Sequence, residues 1–107
     1  MARVRFQTLT EQMFYVLLCL REPCRGIDLF DRIAQQTQGR VTVGSGTLYN
    51  LLEQFLAEEI IEDVADRGRR KIYRLTNRGR AMLEEEYHRL LAQAADYEAV
   101  FGKGDVP

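Results

Sequence analysis

The chain has 107 residues, 46% hydrophobic and 29% charged, which suits one domain of about 100–150 residues and excludes a chain disordered by composition. Two cysteines and a single histidine are too few for a disulfide framework or a structural zinc site, so neither metal nor cofactor is expected. The formal charge of −1 gives no overall basicity, and the longest apolar run, Met13 to Leu20, is too short to cross a bilayer and lacks signal-peptide flanks, so a cytoplasmic protein without a membrane partner is expected.

The first helix is expected from near Thr8 to Arg21. Thr8-Leu9-Thr10-Glu11 fits a capping box, with Glu11 reaching back to the helix start. Leu9, Met13, Phe14, Val16, Leu17, Leu18 and Leu20 make this helix apolar on nearly every side. One small domain covers one face, so the surplus suggests a second chain. Pro23 and Gly26 then end it. Cys19 reads as a small core residue and Cys24 as a loop residue, with redox sensing by Cys24 left open.

A second helix is expected over about Gly26–Gln38, with Ile27, Phe30, Ile33 and Ala34 on its apolar face and Gly39 ending it. Val41-Thr42-Val43 reads as a short strand. Ser45 is expected to cap a third helix over Gly46–Glu59, whose Leu48, Leu51, Leu52, Phe55 and Leu56 form an amphipathic stripe. The opposite face carries Thr47, Tyr49, Asn50, Glu53 and Gln54, mostly short or planar hydrogen-bonding groups rather than a ladder of lysine and glutamate. Tyr49 suits either a DNA contact or packing over the second helix.

Ile60–Ala65 and Lys71–Thr76 read as two strands joined by Asp66–Arg70 into a hairpin. From Arg67 to Arg80 there are seven basic residues and no acidic one, leaving eight basic against 16 acidic residues elsewhere. Such segregation is what a DNA-binding face requires. Arg74 is equally well placed to pair with Glu62 or Asp63, while Tyr73 and Leu75 read as core. Thr76 then caps a last helix over Asn77–Phe101, followed by a frayed tail. Its Leu83, Tyr87, Leu90, Ala94, Tyr97 and Phe101 are separated by 4, 3, 4, 3 and 4, a heptad seam for packing lengthwise on another helix. His88 reads as solvated.

Helix, helix, polar-faced helix, basic hairpin and long helix is the order of a winged helix-turn-helix, a mainly α (α+β) fold with a two-stranded β-wing. A helix about 10–12 Å across fits a major groove about 12 Å wide, where Asn or Gln can read adenine edges. Arginines beside it neutralise phosphates without reading sequence. No catalytic constellation can be assembled, and consecutive Glu84-Glu85-Glu86 point in different directions on a helix.

Thr10-Glu11-Gln12-Met13-Phe14-Tyr15-Val16-Leu17-Leu18, Pro23-Cys24-Arg25-Gly26, Gly46-Thr47-Leu48-Tyr49 and Arg70-Lys71-Ile72-Tyr73-Arg74-Leu75-Thr76-Asn77-Arg78-Gly79-Arg80, in that order, resemble the PadR family of bacterial transcriptional regulators, in its compact branch. The resemblance covers about residues 8–82. It implies a winged-helix homodimer and repressor in which the helix of Gly46–Tyr49 enters the major groove and the Arg67–Lys71 wing reaches the backbone or minor groove. Departures are Arg25 and Ile27, where the family often has histidine and usually an aromatic, and Asn50, where proline or glycine is common.

The expected organisation is a DNA-binding domain over residues 1–76 and a dimerisation helix with its tail over 77–107, in one compact unit. Expected DNA contacts are Ser45, Thr47, Tyr49, Asn50, Gln54, Arg67, Arg69, Arg70 and Lys71. Expected dimer contacts are Leu9, Met13, Phe14, Leu17, Leu83, Tyr87, Leu90, Ala94, Tyr97 and Phe101. The partners are then double-stranded DNA with a pseudo-palindromic operator, a second copy, and a small aromatic effector held among Phe14, Tyr15, Tyr87 and Tyr97. The rival reading is a dimeric protein-interaction or ligand-sensing module with vestigial DNA binding.

Overall fold

A computed structural model describes residues 8–65 and 71–102. Helix α1 spans Glu11–Cys19, shorter at both ends than the sequence suggests. Thr10, not Thr8, is the N-cap: its hydroxyl accepts the Met13 amide at 3.1 Å. Glu11 is therefore the first helical residue and cannot close a capping box. Leu9 lies outside the helix, buried, and its amide donates to a carboxylate oxygen of Glu86 at 3.3 Å.

Helix α2 spans Gly26–Thr37 and ends on Gln38, which adopts left-handed φ 51 and ψ 41 ahead of Gly39. Thr37 is fully buried; its hydroxyl donates to the Ile33 carbonyl at 2.8 Å and accepts the Val41 amide at 3.2 Å. That bond replaces the ladder a strand would need. Val41–Val43 consequently forms no strand, although both valines are buried.

Helix α3 spans Ser45–Ala57. Ser45 is its first residue rather than its cap: the Leu48 amide bonds to the Gly44 carbonyl at 2.9 Å, and no side chain caps the start. The helix stops before the expected Glu59, which has positive φ, as the Ile60 amide turns back to the Phe55 carbonyl. Strands β1, Ile61–Asp63, and β2, Tyr73–Leu75, pair antiparallel with Glu62 opposite Arg74. Both are shorter than expected. Thr76 leaves the ladder to bond Glu59 and Ile60 carbonyls, and the Asp63 carboxylate takes the Ala65 and Ile72 amides. On its other edge β2 exchanges two backbone bonds with Cys24.

Helix α4 spans Asn77–Phe101, as the sequence suggests, with the Thr76 hydroxyl accepting the Gly79 amide at 3.1 Å. Only its start is packed. Gly79, Met82, Leu83 and Glu86 are buried, whereas every residue from Tyr87 to Phe101 is exposed. The Cα radius of gyration, 15.7 Å, exceeds the roughly 13 Å of a compact chain this long. The core joins Val16, Leu17, Leu29, Ile33, Leu48, Leu52, Phe55, Ile61 and Met82, each large side chain contributing roughly 1.5–3 kcal/mol.

Candidate nucleic-acid interface

Burial of Leu48, Leu51, Leu52 and Phe55 fixes the rotation of α3. Ser45, Thr47, Tyr49, Asn50 and Glu53 are therefore exposed along one side, with Gln54 half-buried. The Ser45, Thr47, Asn50 and Gln54 side chains have no hydrogen-bond partner among the described residues. A polar face without internal bonds is free to bond groups from outside the chain.

Tyr49 does both things its sequence context suggests. Its ring meets Phe30 edge-on at 6.4 Å and covers Gly26, yet the residue stays exposed. Lys71 is exposed beside this face, with no acidic partner among the described residues. Arg67, Arg69 and Arg70 lie outside the described residues. Arg74 is held by Glu62 at 2.6 Å and Arg78 by Glu58 at 3.7 Å, so these two cations are partly neutralised within the hairpin and its neighbours.

Sequence reasoning missed a cleft of about 290 Å³ lined by Arg25, Gly26, Ile27, Tyr49, Lys71 and Tyr73. The start of α2, one turn of α3 and strand β2 meet there: Cys24, just ahead of α2, pairs with Tyr73, and Tyr49 of α3 packs over Gly26. It also missed Glu86, which is 2% exposed and bonded to Leu9 and Arg89. The periodicity of α4 gave no sign that an acid would face inward.

Cys19 packs against the core and Cys24 lies between α1 and α2, as expected, yet Cys24 is the more buried of the two. Cys24 is buried because its backbone pairs with β2, while Cys19 is only partly buried. Burial pushes both thiols above their usual range, with Arg32 pulling back in part. Neither is an activated thiolate. Among the described residues no acidic, cysteine or histidine cluster could hold a metal, and no helix is long and apolar enough to cross a membrane.

Of the expected dimer contacts, Leu9, Leu17 and Leu83 are buried in this chain's own core. Tyr87, Leu90, Ala94, Tyr97 and Phe101 are exposed on α4, and Met13 and Phe14 are partly buried beside the core. Phe14 and Tyr87 also line a groove of about 430 Å³ with Leu18, Leu83, Arg21 and Arg80. Tyr15 and Tyr97 do not line it.

Comparison with known proteins places these features. A family profile described as the transcriptional regulator PadR-like family matches residues 16–85. An uncharacterized protein of Lysinibacillus sphaericus is 33% identical over 72 residues, 64% of this chain; the chain spans 66% of that relative's length. The crystal structure of a PadR family transcriptional regulator from Eggerthella lenta superposes with a TM-score of 0.70 at 25% identity, covering 84% of this chain and 80% of that one. A PadR-like transcription factor from Bacteroides fragilis gives 0.65 at 26% identity, covering 81% and 86%. A winged-helix DNA-binding protein from STIV, at 17% identity, has a TM-score of 0.62 over 78% and 91% of the two chains, a likeness of fold alone.

Proposed function

The chain belongs to the PadR-like family of transcriptional regulators, a family of regulators rather than enzymes, and its fold is the DNA-binding winged helix; from this we propose that it is a homodimeric repressor reading a pseudo-palindromic operator. The observation that carries the reading is the face of α3, where Thr47, Asn50 and Gln54 lack hydrogen-bond partners among the described residues and where Lys71 lines the same cleft as Tyr49.

In this reading α3 lies in the major groove. Asn50, Thr47 and Gln54 meet base edges, Tyr49 and Ser45 the flanking backbone, and Arg67, Arg69, Arg70 and Lys71 the phosphates. The second copy covers α4: Tyr87, Leu90, Leu91, Tyr97, Val100 and Phe101 form an apolar surface a lone chain leaves in water. Residues 1–76 serve as the reading domain and 77–107 as the dimerisation arm. The groove between Phe14 and Tyr87 accepts a small aromatic effector whose binding releases DNA.

The test is binding of the purified chain to the DNA upstream of its own coding region, over a salt series and beside random duplex. Selective, salt-sensitive binding by a dimer supports the reading. Binding no better than to random DNA, with the dimer intact, favours a protein-interaction module instead.

A further inference from the structure

The cleft at the start of α2 has the composition of an anion seat. Arg25 precedes the helix without capping it through its side chain; the Asp28 amide turns back to the Arg25 carbonyl at 3.1 Å, and the Gly26 and Ile27 amides ahead of it are those a helix start leaves without intrahelical partners. The Arg25 guanidinium touches Asp28 through Nε alone, at 3.4 Å, which leaves its two terminal nitrogens for a planar, two-point grip. Lys71, two residues before β2, adds a second cation.

An independent feature points the same way. Tyr73 is only 7% exposed and lines this cleft, yet its hydroxyl has no hydrogen-bond partner among the described residues. Buried polar groups without partners are rare. Burial, then nearby Asp63, Tyr49 and Glu53, holds this phenol above its usual range, so it is a donor at neutral pH. Lys71, Arg25 with its charge partly offset by Asp28, helix-start amides and a neutral donor suit a phosphate better than a carbonyl or a base.

We propose that this cleft seats one backbone phosphate of the bound DNA, gripped by Arg25, Lys71, the first amides of α2 and the Tyr73 hydroxyl. The inference rests on α3 facing DNA and adds Arg25 and Tyr73, from outside the reading helix, to the contact set. The phosphate locks the start of α2 and strand β2 to one point on the duplex, fixing how deeply α3 enters the groove. Tyr73 thereby acts as a positioning residue, indifferent to base identity.

The experiment compares the full chain with its Tyr73→Phe and Arg25→Gln variants on the duplex selected by the wild type. It uses a salt series and a panel of duplexes, each with one neutral methylphosphonate. Tyr73→Phe is expected to bind unmodified DNA about tenfold more weakly, and Arg25→Gln to lower the salt slope by about 0.9. One methylphosphonate position should weaken the wild type by about tenfold or more and cost the Tyr73→Phe variant nothing further. Lys71→Gln, at an exposed site, repeats the slope test should Arg25→Gln not fold.

Wild-type affinity and slope in the variants, or losses that multiply at every methylphosphonate position, would overturn the seat while leaving the repressor reading intact. Absence of selective binding by the wild type would instead sink that reading first. Inorganic phosphate raising the melting temperature of the wild type but not of Tyr73→Phe at matched ionic strength, with a flat methylphosphonate panel, would assign the cleft to a free anion and overturn the DNA assignment.

Discussion

A methyl group placed on Gly79 would lie 2.3 Å from the carbonyl oxygen of Ile60: the first turn of α4 rests directly on the backbone that enters β1. At Gly26 the corresponding methyl would lie 2.9 Å from the edge of the Tyr49 ring. The first obstacle is backbone, the second a side chain that can turn aside.

Gly79→Ala should therefore destabilise the fold by about 2–4 kcal/mol, despite the helix propensity alanine adds. Gly26→Ala should cost about 1 kcal/mol or less while displacing Tyr49 and weakening DNA binding. Denaturant unfolding of both variants, with unchanged m-values, checks the contrast; equal losses would mean that α4 does not sit so close.

Arg74 and Lys71 differ in their neighbours rather than their charge. Arg74 is spoken for by Glu62, a half-exposed pair worth about 0–1 kcal/mol. Arg74→Ala should leave the salt slope of DNA binding nearly unchanged, whereas Lys71→Ala should reduce it by about one. A larger fall for Arg74→Ala would show that the ion pair opens on DNA.

Asn50→Ala should change which sequence is preferred, because the side chain meets base edges in the proposed docking. Selection of bound duplexes from a random pool by both proteins reads this directly. An unchanged preferred sequence, at lower affinity, would assign Asn50 to the backbone.

Leu90→Glu with Tyr97→Glu should convert a dimer into a folded monomer, since both side chains are exposed within the single chain. Light scattering would show half the mass, and operator affinity should fall by about 10²-fold or more as the two half-sites cease to be linked. A dimer that persists would move the interface off this seam.

The thiols give a pH prediction. Burial raises both above the usual range, so alkylation of the native chain near pH 7 should be slow and accelerate as pH rises. Because the folded chain disfavours thiolate, this contribution to stability is complete below the unfolded-state pKa and is lost as pH rises through the folded one. Rapid native labelling at neutral pH would reopen a sensing role.

The elements themselves were legible because 3.6-residue and two-residue periods survive averaging. The Thr76 cap, the α3 stripe and the Asn77–Phe101 helix needed nothing beyond local spacing. What local spacing could not give were choices decided elsewhere in the chain. Two threonines compete to cap α1, and Thr10 wins with Leu9 held at Glu86. The Val41–Val43 stretch has strand residues, but Thr37 takes its amide. Cys24 looks like a loop residue until β2 returns to pair with it. The cleft around Tyr73 was hidden for the same reason: its residues are scattered from position 25 to position 73.

The bond between the Leu9 amide and Glu86 lies at the point where α4 leaves the body of the molecule. Beyond it the helix runs free for residues 87–101, about 22 Å of rise. It is a lever with its fulcrum at Glu86. A tilt of about 10° there would carry the tip by roughly 4 Å, close to the 3.4 Å between successive bases. In the proposed dimer, joined along that arm, the packing of Gly79, Met82, Leu83 and Glu86 against the body would set the spacing of the two reading helices.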